Sequence, residues 1–63
     1  MKYPEVSGAI RAKYGNQEAF AKDMGMHPVT LSMKLRGKRD WTRAEMELAC
    51  RLLDLPVTVF FDL

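Results

Sequence analysis

Apolar residues recur along this chain at helical spacing, and no segment of four to eight residues alternates between apolar and polar as a half-buried strand does. Glycines and prolines divide the sequence into five short pieces. The pattern predicts helices at about 4–14, 17–24, 28–36 and 43–53, and a last short helical turn at 57–61. The sequence therefore predicts a compact all-α domain of five helices.

Only three residues, Gly25, Met26 and His27, separate the second predicted helix from the third. The glycine supplies the left-handed conformation that ends a helix, and Pro28 suits the first turn of the next one. So short a connection forces a large crossing angle rather than an antiparallel hairpin, which is the helix-turn-helix arrangement. We predict this unit over about 17–36.

The fourth helix has the clearest local signal. Thr42 and Glu45 are spaced as a capping box, in which each side chain accepts a hydrogen bond from the backbone of the other. Trp41 and Met46 occupy the positions of a hydrophobic staple, so a core role for Trp41 is favoured over stacking on a sugar. The helix ends before Pro56, because proline disfavours a helical residue ahead of it.

Length and composition narrow the function classes. Sixty-three residues make at most one domain, taken here as 1–63, and no apolar run approaches the roughly 18 residues of a membrane span. One cysteine, Cys50, and one histidine cannot supply the four ligands of a structural zinc site, so no metal or other cofactor is predicted. No signal-peptide pattern is present, which favours the cytoplasm, and the start at Met1 favours a complete chain.

No catalytic pattern stands out in the sequence. Paired carboxylates in a cleft, a nucleophile with a base and a glycine-rich phosphate loop are all missing. We therefore predict neither an enzyme nor a small-molecule substrate.

The stretch from the second helix to the end of the third carries a characteristic set of residues. It has a glutamine opening the second helix, a small residue between the helices, a turn glycine, several apolar positions and a closing glycine: Gln17, Phe20, Ala21, Met24, Gly25, Met26, Leu31 and Gly37. With these residues the chain resembles the phage Cro and lambda-repressor type of helix-turn-helix DNA-binding domain over nearly its whole length. One departure is Lys34, which stands where the family usually has an apolar residue, while Leu35 follows it.

The resemblance implies a lambda-repressor-like fold and a function. Proteins of this type are sequence-specific transcriptional regulators that bind double-stranded operator DNA as homodimers and place two third helices in successive major grooves. Longer repressors of the family carry a second, dimerising domain that is missing from this sequence, so we expect the dimer to form through this domain. The expected interface is the apolar C-terminal segment with Val57, Val59, Phe60 and Phe61, which is too apolar to stay in solvent; the alternative is that this segment plugs the core of its own chain.

Helical geometry separates the two faces of the third helix. Leu31 and Leu35 mark the buried face, and Met33 is rotated about 200° from both. On the outer face an arginine can bind guanine, a serine can donate a hydrogen bond, and apolar side chains can contact thymine methyl groups. The predicted base contacts are Pro28, Val29, Ser32, Met33 and Arg36. The alternative for the two apolar ones is packing against the C-terminal segment or a protein partner.

Predicted phosphate contacts surround this helix. Asn16 and Gln17 open the second helix, whose free amides and positive dipole end favour an anion. Thr30 offers a hydroxyl, and His27 would bind phosphate more strongly when protonated. The basic residues that follow complete the set: Lys34, Lys38, Arg39 and Arg43. The alternatives involve no phosphate: Asn16 only caps its helix, the Thr30 hydroxyl only bonds within its own helical turn, His27 is exposed without a function, and the basic residues form an ordinary solvated surface.

The net charge of +2 conceals a segregation of charge. Residues 34–43 hold five basic and one acidic residue, a net +4, whereas the rest of the chain holds five basic and seven acidic residues, a net −2. Positive charge therefore collects beside the third helix, as a DNA-binding protein requires. The competing interpretation is a protein-interaction module of the same fold, an antitoxin-like or antirepressor-like partner binder.

Overall fold

The chain folds into four α-helices and one 3₁₀ turn. The helices are α1 (Pro4–Tyr14), α2 (Gln17–Met24), α3 (Pro28–Leu35) and α4 (Arg43–Leu53), and the 3₁₀ turn is Val57–Phe60. The computed structural model describes residues 3–61, and that part of the chain contains no strand. The all-α prediction is confirmed. Four α-helices are present rather than five, because the last predicted segment forms only the 3₁₀ turn.

Side chains and glycines set the helix ends as the sequence predicts. The Asn16 side chain accepts a hydrogen bond from the Ala19 amide at 2.9 Å, which caps α2, and Gly25 ends α2 with a φ of 71°. At α4 the Thr42 hydroxyl accepts from the Glu45 amide at 3.1 Å, and the Glu45 carboxylate accepts from the Thr42 amide at 2.9 Å. The capping box is therefore confirmed.

The core lies where α2 meets the other helices, since α2 packs against α1, α3 and α4. Ala21 is fully buried, and its small side chain lets a neighbouring helix approach closely. Leu31 and Leu35 are buried, which confirms the inner face predicted for α3. Cys50 is buried as predicted. The buried apolar residues are Val6, Ile10, Phe20, Ala21, Met24, Leu31, Leu35, Trp41, Ala49, Cys50, Leu53 and Phe60.

Three aromatic side chains from distant parts of the sequence meet at one end of the core. The ring of Trp41 lies 4.7 Å from that of Phe60, and Tyr3 lies 6.2 Å from the first and 5.6 Å from the second. Two of these ring pairs are edge-to-face and the third is tilted, and aromatic contacts of this kind contribute beyond the area that they bury. Trp41 is thus a core residue, as predicted. Phe60 is only 8% exposed, so this burial removes it from the predicted dimer surface.

Candidate functional site

The outer face of α3 is open to solvent. Val29 is 59% exposed and Arg36 is exposed, while Pro28, Ser32 and Met33 are half-buried. All five predicted base contacts therefore share one accessible side of the helix, because at 100° per residue they lie within about 140° of one another around its axis. The opposite side is held against the core. This arrangement leaves α3 free to enter a groove without disturbing its packing.

Two of these residues already contact each other. The Arg36 guanidinium donates a hydrogen bond to the Ser32 hydroxyl oxygen at 3.0 Å. An arginine side chain has five N–H donors, so most of them stay free, and the serine hydroxyl keeps its own proton to donate. The contact fixes the direction of Arg36 along the helix. A planar donor held in one direction suits bidentate binding of guanine.

His27 forms the N-cap of α3. Its Nδ1 accepts a hydrogen bond from the Val29 amide at 3.1 Å. In the neutral ring the proton therefore lies on Nε2, which can still donate to a phosphate oxygen.

The start of α2 forms a second polar region. Asn16 and Gln17 are exposed and line a depression of about 220 Å³ together with Ser7 and Arg11 of α1. The plain cap considered for Asn16 is present, and it uses only the Ala19 amide. Arg11 was not among the predicted contacts. The signal that would have identified it is the short turn after α1, which brings the last turn of α1 next to the start of α2.

The segment after α3 presents exposed positive charge. Lys38 and Arg39 are exposed, and Thr30 at the other end of α3 is half-buried. The Lys38 amide donates to the Met33 carbonyl at 2.9 Å, so the loop begins folded against the end of the helix. Residues 24–39 contain four basic residues and no acidic one. No acidic residue within that stretch neutralises the exposed charges of Arg36, Lys38 and Arg39.

Arg43 lies at the start of α4. Its side chain is 91% exposed and pairs with Glu47 at 3.3 Å. An exposed pair of this kind holds its partners weakly, so the arginine remains able to exchange Glu47 for another anion.

Lys34 departs from its predicted role as a phosphate contact. It is only 6% exposed, and its ammonium donates to the Asp40 carbonyl at 2.7 Å and to the Glu45 carboxylate at 2.9 Å. The position is buried because 31, 34 and 35 share the inner face of α3. The methylene stem thus fills the place of an apolar side chain, and Glu45 neutralises the charge. Lys34 is removed from the candidate phosphate contacts.

Glu45 has two functions in this structure, as part of the capping box and as the partner of Lys34. Burial alone would raise its pKa, but hydrogen bonds from Thr42 and Lys34 and the charge of Lys34 outweigh that effect. The pKa of Glu45 is therefore lower than usual. The contact between Lys34 and Glu45 could not be predicted from the sequence, because the two residues belong to different helices.

The remaining predicted dimer residues differ in exposure. Phe61 is 54% exposed and Val57 is also exposed, whereas Val59 is half-buried against the core. The first two line a depression of about 380 Å³ together with Arg43, Met46 and Glu47 of α4. An apolar surface is thus available, but it includes α4 as well as the C-terminal segment.

The described residues offer little for other chemistry. Burial raises the pKa of the Cys50 thiol, whose Sγ lies 3.7 Å from the Pro56 carbonyl oxygen. Residues 3–61 contain no group of three or more His, Cys, Asp and Glu side chains placed to hold a metal ion. None of the helices in that range has the length and hydrophobicity needed to cross a membrane.

The chain matches a protein family over residues 1–62, and the family is described as a protein of unknown function, DUF739. Because the match spans almost the whole chain, the protein belongs to this family. No curated protein and no solved structure matches it. The family description names no function, so a functional proposal rests on the geometry of the site.

Proposed function

We propose that this member of the DUF739 family is a sequence-specific DNA-binding transcriptional regulator of phage Cro or repressor type. In this proposal α2 and α3 form the helix-turn-helix of a lambda-repressor-like domain, and α3 binds operator DNA in the major groove as part of a homodimer. The observation that carries the proposal is the open outer face of α3 beside three exposed basic residues, Arg36, Lys38 and Arg39, in a stretch, 24–39, that holds no acidic residue. The proposal assigns no catalytic activity, and it places the protein in the bacterial cytoplasm.

The dimensions of α3 fit this role. An α-helix with its side chains is about 10–12 Å across, which is close to the width of the major groove of B-DNA. Arg36 is the base-reading residue of greatest reach and would bind guanine, while Ser32 holds it in place. Val29 and Met33 would contact thymine methyl groups. The outer face has no Asn or Gln to pair with adenine, so part of the discrimination must come from DNA shape.

Phosphates on either side of the groove would be bound by two separate groups. At the start of α2, the Asn16 cap uses the Ala19 amide and leaves the two preceding amides free for an anion, with Arg11 close by. Beyond the other end of α3, Lys38 and Arg39 supply exposed positive charge. Contacts of this kind fix the position of a protein on DNA and leave the reading of sequence to α3.

The proposal is tested by selecting bound sequences from a random duplex pool at two salt concentrations. We expect a short palindrome whose half-sites lie about ten base pairs apart. Failure to enrich any sequence at either salt concentration would exclude the proposal. Arg39→Ala should reduce the slope of log affinity against log salt by about 0.9, because one phosphate contact is lost. Lys13→Ala is the matched control, since Lys13 is exposed and rotated about 200° from Arg11 on α1.

A second candidate function is the binding of a protein partner through the same face. The observation that favours it is Val29, an apolar side chain that is 59% exposed next to half-buried Met33. In that case Met33→Asp should abolish binding of the partner, because it places a charge in an apolar contact. Arg36→Ala and Arg39→Ala should then have little effect. The DNA-binding proposal predicts large effects of both arginine variants on duplex affinity and on its salt dependence.

A further inference from the structure

One exposed stripe of α4 alternates in charge. Arg43, Glu47, Arg51 and Asp54 are spaced by four, four and three residues, and all four are exposed. At 100° per residue Arg43, Glu47 and Arg51 lie within about 80° of one another around the helix axis, and Asp54 follows as the C-cap of α4 with a left-handed φ of 56°. The order of charge along this stripe is positive, negative, positive and negative. We refer to these four residues as the α4 stripe.

An apolar surface adjoins the α4 stripe. Two depressions, of about 550 and 380 Å³, are both lined by Glu47 and Val57, so they form one continuous surface. The second of them is lined also by Met46 and by Phe61, whose ring is half exposed. An apolar centre with a charged border is the usual arrangement of a protein interface.

We propose that this surface binds a second copy of the same chain, with the two α4 helices antiparallel across a two-fold axis near positions 48 and 49. The inference deepens the proposed function, because it rests on the homodimer and names the surface that forms it. Met46, Val57 and Phe61 supply the apolar contact. The α4 stripe supplies the orientation.

The order of the charges selects the antiparallel arrangement. In a two-fold pair of antiparallel helices, residues at equal distances on either side of the axis face each other. The midpoint of Arg43 and Asp54 is position 48.5, and that of Glu47 and Arg51 is position 49. The two midpoints differ by about 0.75 Å along the helix. A single register therefore brings both oppositely charged pairs together, and symmetry forms each pair twice.

Other arrangements of the same helix are less favourable. A parallel two-fold pair would place each charge of the α4 stripe opposite its own copy, and like charges repel. A parallel pair shifted by one turn would match opposite charges but would leave each end open to a further copy, giving a filament rather than a closed dimer. Only the antiparallel arrangement both places opposite charges next to each other and forms a closed dimer.

The test reverses charges at Glu47 and Arg51 and measures the dimer by sedimentation equilibrium without DNA. Glu47→Arg alone would turn two attractive pairs into two repulsive ones, so the dissociation constant of the dimer should rise about tenfold or more. Arg51→Glu alone should do the same. The double variant restores opposite charges and should return to within about threefold of the original protein. Glu5→Arg, on the exposed side of α1, is the control with the same change in net charge as Glu47→Arg.

Both positions are exposed, so the variants should fold, and circular dichroism checks this. The proposal is overturned if the original protein stays monomeric up to about 1 mM. It is also overturned if each single reversal matches the Glu5→Arg control, or if the double variant dimerises no better than the single ones.

The outcome is separable from that of the DNA-binding proposal. A dimer that follows the charge rules but enriches no duplex would support the interface and exclude DNA binding. Enrichment of a palindrome by a protein whose dimer is unaffected by the charge reversals would support DNA binding and exclude the α4 interface.

Discussion

Replacing Lys34 separates the two contributions of its side chain, the packing of its stem and the hydrogen bonds of its ammonium. Lys34→Met keeps an unbranched stem of similar length and removes the charge. Lys34→Ala removes both. Because Lys34 is buried between α3 and α4, the two variants are expected to differ strongly in stability.

The size of each effect follows from the surroundings of the side chain. Lys34→Ala deletes three buried methylene groups, worth about 0.8 kcal/mol each, and removes the ammonium donor from the Asp40 carbonyl and the Glu45 carboxylate, which keeps only the Thr42 amide. The lysine also carries a cost, since its ammonium loses hydration on burial, and this cost disappears in the variant. We expect Lys34→Ala to lower the free energy of unfolding by about 2–3 kcal/mol.

Lys34→Met should change the free energy of unfolding by less than about 1 kcal/mol. The stem volume is kept, and the Glu45 side chain is 27% exposed, so water can replace the ammonium. Glu45 also keeps its hydrogen bond from the Thr42 amide.

Urea unfolding followed by circular dichroism measures the stability of both variants. If Lys34→Met costs as much as Lys34→Ala, the ion pair rather than the stem stabilises this position, and our reasoning is wrong. The same methionine variant also tests the correction of the predicted phosphate contact. In the proposed DNA binding, the slope of log affinity against log salt should be the same for Lys34→Met as for the original protein. A slope reduced by about 0.9 would show that Lys34 contacts a phosphate after all.

Three further predictions concern glycines, acid stability and the thiol. Gly25→Ala should destabilise the protein by about 1 kcal/mol, because Gly25 has a positive φ. Gly8→Ala within α1 should stabilise it by about 0.5–1 kcal/mol, because open space surrounds that position. Thermal unfolding of the two variants compares them directly. The lowered pKa of Glu45 means that its contribution to stability is complete above its unfolded pKa of about 4.3 and is lost as pH falls through the folded pKa. The free energy of unfolding should be measured between about pH 3 and 7, a range that includes the titration of this carboxyl. Its decrease on acidification should be smaller in Glu45→Gln than in the original protein. An equal decrease in both would contradict a stabilising role of the ionised Glu45 carboxylate. Cys50 should react with a thiol reagent far more slowly in the folded protein than in urea, because burial raises its pKa and blocks access; equal rates would show that the α4 surface opens readily.

Features set by neighbouring residues were predictable from the sequence. The Asn16 cap, the positive φ of Gly25 and the Thr42 capping box each depend on residues at most three positions apart. Spacing along one helix was enough to place Leu31 inside and Val29 outside.

Features that depend on distant residues were not predictable in this way. Helical spacing places position 34 on the inner face of α3, but the groups that accept a buried ammonium there, the Asp40 carbonyl and the Glu45 carboxylate, lie outside that helix. Phe60 looked like part of an interface because its aromatic partners, Tyr3 and Trp41, lie far away in the sequence. The α4 stripe was visible as charge, but the apolar surface beside it appears only once the 3₁₀ turn packs against α4.

The aromatic contact between Tyr3 and Phe60 has a consequence for the order in which the chain folds. It joins residues 57 positions apart, so closing that loop costs about 3.6 kcal/mol of chain entropy beyond a constant, whereas α2 and α3 meet across three residues at little such cost. The α2–α3 pair should therefore assemble early, and the aromatic contact should form late. Loss of that contact would release the first turn of α1 and the 3₁₀ turn in a single step. The two extremities would then unfold together, while the α2–α3 pair stays folded.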